Sequence, residues 1–344
     1  MNIQLQVKVH KTIEAAERML PEWTALWERC SGATTFQRPE WIIFWMRMFQ
    51  PQEPLIVEVR NEGRLVGIAP FLIYTDGSER ILGLTGGGVS DYLDVIAETE
   101  IRKQTTSASM RFITRPEFQW DVINLTDLSP GSPLLTLADY GLTPNLHDVC
   151  TQLVLTEDTE HIKKLIPKHK YENLRNARSR LRKSGEGNIE IATRETLNEF
   201  LEALFELHGT RWGQLGQPGV LFDRSTQCFH RETAPLLLSC GVLRLYGLRL
   251  RGRLIATLYS FFEREVVYCY MQGFDPSHES LSPGTLLLGT VIEDALQAGK
   301  KCINFLRGQE SYKYTWGVKD SPSFRIQADR TLVAQIAKEN SAAA

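Results

Sequence analysis

Three segments of the C-terminal third hold residue types suited to gripping an anionic group and moving a proton near it: Tyr268 to Pro276, Ser282-Pro283-Gly284-Thr285, and Ile303 to Trp316. Ser282 has the side chain expected of a helix N-cap, Pro283 is preset for a first helical residue, and Gly284 lets a ligand approach free N–H groups. Such a helix start attracts phosphate. Arg307 follows a strand whose C-terminal end is expected to face a ligand crevice, so its guanidinium is expected to touch substrate or phosphate. Lys313 is a second cation of the same kind, and Glu310 is a structural partner for either. A further concentration of charge, Lys168 to Ser184, holds Lys168, Lys170, Arg175, Arg178, Arg180, Arg182 and Lys183 against one acid, Glu172.

The elements that must position these groups follow from periodicity. One apolar stripe, Ile13, Leu20, Trp23, Leu26, Trp27 and Cys30, predicts a first helix, and Pro39 opens a second with Trp41, Phe44, Trp45 and Met48 on one face. A β-meander follows at 55–60, 64–74 and 80–84, turning at Asn61-Glu62-Gly63. Gly86-Gly87-Gly88 reads as a loop, succeeded by a helix at 101–114, a strand at 122–125, a short helix after Pro133 and a strand near 151–155. In the second half, the basic helix 168–184 and a helix 196–212 precede strands at 242–249, 253–262 and 265–274. A helix at 283–298, a strand at 302–306, a short helix from Glu310 and a last strand near 323–328 complete the chain.

Val59-Arg60-Asn61-Glu62-Gly63-Arg64-Leu65-Val66-Gly67 and Leu248-Arg249-Leu250-Arg251-Gly252-Arg253-Leu254-Ile255-Ala256 are alike, and each sits within the order helix, helix, meander, helix, strand. That order predicts duplication of one α/β unit. A chain of 344 residues accommodates two such domains, with 42% hydrophobic and 23% charged residues as in a globular protein. The net charge of −2 argues against nucleic-acid binding by the whole surface. Six cysteines are scattered with no metal or redox spacing, so no metal is expected. The N-terminus has no signal-peptide pattern and no apolar run is long enough to span a bilayer, which leads to the expectation of a cytoplasmic protein without a transmembrane segment.

Several of these motifs together resemble a known family. Leu207-His208 with Arg211-Trp212, Gly273-Phe274-Asp275-Pro276, Ser282-Pro283-Gly284, Phe305-Leu306-Arg307-Gly308 and Tyr312-Lys313 are similar to those of the CelD-like acetyltransferases of bacterial cellulose biosynthesis. Phe36-Gln37 with Pro39 and Trp41, and Ser90-Asp91-Tyr92-Leu93-Asp94, extend the resemblance over nearly the whole chain. That family is grouped with the FemABX peptidyltransferases. The resemblance implies an α/β (α+β) fold of tandem GNAT-like domains, each a mixed, largely antiparallel sheet flanked by helices. It sets an acceptor-side domain at 1–156 and a donor-binding domain at 157–344.

It further implies an acyltransferase moving an acyl group from acyl-CoA, acetyl-CoA foremost, to an amine or sugar-linked acceptor in cell-envelope or exopolysaccharide metabolism. Met271, Gln272, Gly273 and Phe274 would line pantetheine, and Ser282, Gly284 and Thr285 the phosphates. Asp91 or His208 is the candidate base and Tyr312 the candidate acid, with a main-chain N–H near Gln272 facing the oxyanion. Lys170, Tyr171 and Arg175 match a Lys-Tyr-x-x-x-Arg start and, with Arg211, Trp212, Arg307, Lys313 and Tyr92, are the expected substrate contacts. The segment His278 to Thr285 departs from the usual Arg/Gln-x-x-Gly-x-Gly/Ala loop, so an acyl carrier protein or an aminoacyl-tRNA remains open as donor. A Fem-type transferase and a non-catalytic subunit of polysaccharide synthesis are the alternatives.

Overall fold

The computed structural model describes residues 4–156, 161–185, 187–214, 219–333 and 335, with the side chains of 211–214 outside the description. The chain forms two compact units, 1–148 with 322–344, and 149–321. In chain order the first unit contains β1 (Leu5–His10), α1 (Ile13–Arg18), α2 (Leu20–Arg29), α3 (Pro39–Phe49), β2 (Glu53–Asn61), β3 (Arg64–Asp76), β4 (Glu79–Leu84), β5 (Ile96–Ala97), α4 (Arg102–Ile113) and β6 (Val122–Leu128). Next come β7 (Asn145–Val154), α5 (Ile162–Leu165), α6 (Lys168–Lys183), β8 (Gly187–Ile191), α7 (Leu197–Gln214), α8 (Arg224–Ser239), β9 (Leu243–Leu250), β10 (Arg253–Glu263), β11 (Val266–Phe274), α9 (Pro283–Gln297), β12 (Cys302–Arg307) and α10 (Ser311–Tyr314). The last strand, β13 (Lys319–Asp329), returns to the first unit and pairs with β6. Halves drawn at 1–156 and 157–344 follow the chain and give β7 and β13 to the opposite units.

The duplication expected from the sequence is visible in the pairing. The first unit orders its strands β1-β2-β3-β4-β6-β13 and the second β8-β9-β10-β11-β12-β7, with a parallel pair, β4/β6 or β11/β12, in each. Both hairpins turn on two left-handed residues, Glu62 (φ 50°) with Gly63 (φ 81°) and Arg251 (φ 50°) with Gly252 (φ 79°), the geometry that matches the twist of the flanking strands. Each hairpin then bulges at the residue three past its turn glycine, Val66 or Ile255. Arg60 and Arg249 play one part twice. Each donates to the carbonyl of its turn glycine at 2.9 Å and pairs with a helix carboxylate, Glu22 of α2 or Glu199 of α7. Such charge-assisted forks join each turn to the helix beside it.

Apolar residues fill both faces of the meanders, as the long buried runs of β3 and β10 demand. Three features differ from the sequence expectation. The first helix breaks at Met19, ahead of Pro21, into α1 and α2. The edge strands β1 and β8 are additional. So is α8, whose buried stripe includes Thr226, His230 and Thr233 and whose interior holds Pro235, which together obscure an apolar period.

Candidate functional site

The second unit's sheet opens at one place. β11 and β12 pair in parallel only at Val266/Cys302, Val267/Ile303 and Tyr268/Asn304, and then part. Beyond that point Cys269, Tyr270, Met271 and Gln272 are half-buried, although β11 is an interior strand. The alternate main-chain amides of this stretch therefore face a gap and not a partner strand. Two bulges produce the opening. On the β10 side, Tyr259 pairs with Met271 but Ser260 with Cys269, leaving Tyr270 as the extra residue. On the other, β12 shifts register between Asn304 and Arg307 against β7, and Leu306 takes a left-handed φ of 62°. Asn304 Oδ1 accepts the Leu306 N–H at 2.8 Å, so the bend in β12 is held from within.

The N-terminus of α9 adjoins this gap: the Gln272 side chain lies 4.0 Å from where a Gly284 side chain would begin. Ser282 does not cap the helix as expected. It sits in the left-handed region (φ 54°, ψ 55°), makes no side-chain cap, and its hydroxyl accepts from Arg180 Nη2 at 2.9 Å. Pro283 brings no N–H, which leaves the amides of Gly284 and Thr285 as the first donors of a helix start without a side-chain cap. Lys170 joins them, its Nζ 3.2 Å from Thr285 Oγ1 and 4.3 Å from the centre of the Trp316 ring. Lys170 is 8% exposed, and desolvation alone holds its pKa below the ordinary lysine value. Among the described residues no carboxylate neutralises it. Lys170 and Arg180 reach the site because α6 lies tightly on α9: a side-chain carbon at Gly289 would meet Leu174 Cδ1 at 2.5 Å, and Arg178 pairs with Glu293.

The remaining expected site residues divide. Tyr171, Phe274 and Tyr312 are half-buried and pack, with Cys269, on the second unit's core. Burial pushes the Cys269 thiol up to about 12, so it stays protonated and is a poor nucleophile. Arg175 is exposed on α6. Lys313 is 2% exposed, and its ammonium is taken by the carbonyls of Leu306, Arg307 and Gly308 at 3.4, 2.5 and 3.1 Å and by Glu310 at 2.9 Å. It fastens the bend after β12. Arg307 is half-buried at the end of β12. His208 is buried on α7 where that helix crosses β11; a side-chain carbon at Gly273 would lie 2.5 Å from the His208 nitrogen, so only glycine allows the approach. The side chains of Arg211 and Trp212 lie outside the described residues.

Asp91 and Tyr92 belong to the first unit. Asp91 is half-buried in its loop, and Tyr92 is 4% exposed with its carbonyl accepting from Gln37 Nε2 at 2.9 Å. The same loop explains why the first unit lacks the opening. β4 and β6 also pair at only two positions, Ile81/Val122 and Leu82/Ile123, but Leu93 enters the space beyond and donates its N–H to the Asp127 carbonyl at 3.1 Å. The chain thus closes its own first slot. Sequence reasoning did not single out Arg180 or Trp316 for the site, and nothing in their spacing marks the contacts they make.

Residues 168–314 match the family model described as Acetyltransferase (GNAT) domain, which begins with α6 and ends with α10. No curated protein matches the sequence. Among solved structures, FemX is similar over 96% of this chain and 100% of its own, at 12% identity and a TM-score of 0.64. A tandem GNAT protein from the clavulanic acid biosynthesis pathway is similar over 95% and 99%, at 13% identity and a TM-score of 0.52. At such identities the likeness establishes the fold, a mixed α/β, GNAT-like architecture present twice in one chain.

Proposed function

We propose that the second unit is an N-acyltransferase that takes an acyl group from acyl-CoA, acetyl-CoA foremost, and passes it to an amine. The observation that carries this reading is the parting of β11 and β12 beside an uncapped helix start flanked by Lys170 and Arg180. An extended pantetheine arm would bond the freed amides of Cys269 to Phe274 as an added strand does. The diphosphate would rest on the Gly284 and Thr285 N–H groups with both cations beside it. Those cations, supplied by α6, take the place of the glycine-rich loop that the sequence lacks.

The amine nitrogen attacks the thioester carbonyl, the C–S bond breaks, an amide forms, and the amine's proton ends on the thiolate. Aligning the two reactants accounts for roughly 7–11 kcal/mol of barrier lowering, more than a single acid or base supplies. His208 as base and Tyr312 as acid are assigned on this reading, as are cell-envelope or exopolysaccharide metabolism, the CelD-like kinship and an intracellular setting; Asp91, the other base candidate, belongs to the first unit and is not assigned to the second unit's site.

The deciding experiment is calorimetric titration of acetyl-CoA into wild type, K170M and R180A, with free-thiol release measured on an amine panel. Binding weakened about tenfold in each variant is expected. Absence of binding to wild type would discard the reading.

A second donor, aminoacyl-tRNA used as by a Fem-type transferase, draws support from α6. Its exposed Lys168, Arg175, Arg182 and Lys183 have no carboxylate partner among the described residues, whereas Arg60, Arg80, Arg231 and Arg249 are all paired. Loss of activity on RNase treatment, with affinity falling steeply in salt, would select it. Failure to bind CoA thioester, carrier protein and tRNA alike would indicate a non-catalytic subunit.

A further inference from the structure

The first unit holds a cavity of about 450 Å3 on the sheet face beneath α3. Its origin lies in the duplication. α3 follows α2 as α8 follows α7, yet α3 has 11 residues and α8 has 16. Counting from the turn glycines Gly63 and Gly252, Leu72 of β3 stands where Phe261 stands in β10. In the second unit that place is filled: Phe261 lies 5.2 Å from both Tyr259 and Tyr270, and His230 of α8 lies 5.6 Å from each of those tyrosines. In the first unit α3 stops at Phe49, Gln50 turns into the left-handed region at φ 44°, and the chain leaves through Pro51. The space that the longer helix would cover stays open.

Its walls define a chemistry. Trp45, Leu72 and Tyr74 line it with aromatic and apolar surface, and Gln52, Asn124 and Thr126 line it with two amides and a hydroxyl, the last donating to Asp127 Oδ2 at 3.0 Å and so left as an acceptor. Trp45 is fixed by its Nε1 donating to the Gly87 carbonyl at 3.0 Å. Asn124 is oriented from behind: Arg325 Nε donates to its Oδ1 at 2.7 Å, which commits the Nδ2 group as a donor. The contact from that donor to Tyr74 Oη, 3.5 Å, is too long to saturate it. Among the described residues no acid, lysine, arginine or histidine lines the cavity. An anion or cation would have to shed water with no counter-charge in the lining to meet it, and a hydrocarbon would cover the half-buried Asn124 amide without bonding it. The volume falls within the range of small-molecule sites, about 300–1,000 Å3.

We propose that this cavity binds an uncharged polyhydroxyl ligand of one or two sugar rings. Ring C–H faces would rest on Trp45 and Tyr74, and hydroxyls would bond Gln52, Asn124 and Thr126. The site does not depend on acyl transfer by the second unit. The test uses the full chain and ligand-observed NMR with glucose, galactose, N-acetylglucosamine and cellobiose, beside glucose 6-phosphate and decanoate as charged and apolar comparators. At least one neutral sugar is expected to bind, with affinity lowered about tenfold or more by T126W, which fills the space, and by Y74A. Tyr74 is 38% exposed, so Y74A keeps the question answerable if T126W does not fold. The proposal is overturned if no neutral sugar binds wild type, if neither folded variant weakens binding, or if glucose 6-phosphate or decanoate competes for the same site with equal strength.

Discussion

Two lysines of the second unit look alike in sequence and are opposite in structure. Lys313 spends its charge on three carbonyls and Glu310, while Lys170 is almost as buried and, among the described residues, meets a hydroxyl and an aromatic face. Burial lowers the folded pKa of Lys170 below its unfolded value, so protonation favours the unfolded chain. Its contribution to stability is therefore full above the unfolded pKa and is lost as pH falls through the window down to the folded one. A bound phosphate reverses the balance, raising the pKa and drawing in a proton. Calorimetric titration of CoA at alkaline pH, in two buffers of different ionisation enthalpy, should show proton uptake by wild type and none by K170M. Equal uptake would remove Lys170 from the phosphate site, and a large fall in the Tm of K170M would make it a packing residue. His230 carries a second residue-scale prediction. Burial first, then the like charge of His208, lowers its pKa to about 3, while Tyr259 and Tyr270 face it without compensating charge. Stability should fall from about pH 6.5 downward, by at most about 1.4 kcal/mol per pH unit from this group. Calorimetry of H230F should show a shallower decline, and an unchanged slope would mean that His230 is solvated and free to titrate.

At the scale of elements, what was legible followed from local chemistry. The hairpins carried their own turn residues, α9 and β12 their own periods, and Lys168 its place at the start of α6. What was not legible depended on contacts between distant segments. Ser282 looked like a cap because a serine followed by Pro-Gly usually is one, but the preceding 3-10 turn, Pro276–Leu281, delivers it in the left-handed region and the hydroxyl turns to Arg180. α8 had a start signal in Asp223, which accepts the Thr226 N–H at 2.7 Å, but its buried face mixes histidine and threonine with apolar groups. The seat of α6 on α9 was equally hidden, since a glycine at 289 means little until Leu174 is known to fill the notch. G289A should overpack this contact at a cost of about 1–3 kcal/mol and displace Lys170 and Arg180 together. A lower Tm joined to weaker CoA binding is expected. A lower Tm with unaltered binding would show that the cations do not depend on the α6–α9 seat.

The whole chain is a duplication whose two halves have diverged by what each leaves open. The second unit keeps the gap between its parallel strands; the first closes the equivalent gap with Leu93 and opens the cavity below a shortened α3. Neither difference was readable from motifs, because both come from loop paths and helix lengths measured against the other copy. The interchange of terminal strands has a consequence for any shortened form of the protein. β13 pairs with β6 from Phe324/Leu128 to Asp329/Val122, and Ile326 and Ala328 lie in the first unit's core. Removing everything after Val318 thus takes the last strand from a unit whose other residues all precede Val149, and leaves the second unit intact apart from its last residues. Hydrogen exchange on such a truncated chain should lose protection at Ile123 to Leu128 and retain it at Tyr246 to Leu250. If protection fell instead in β9 and persisted in β6, the strand would be stabilising the second unit, and the division of the chain would have to be redrawn.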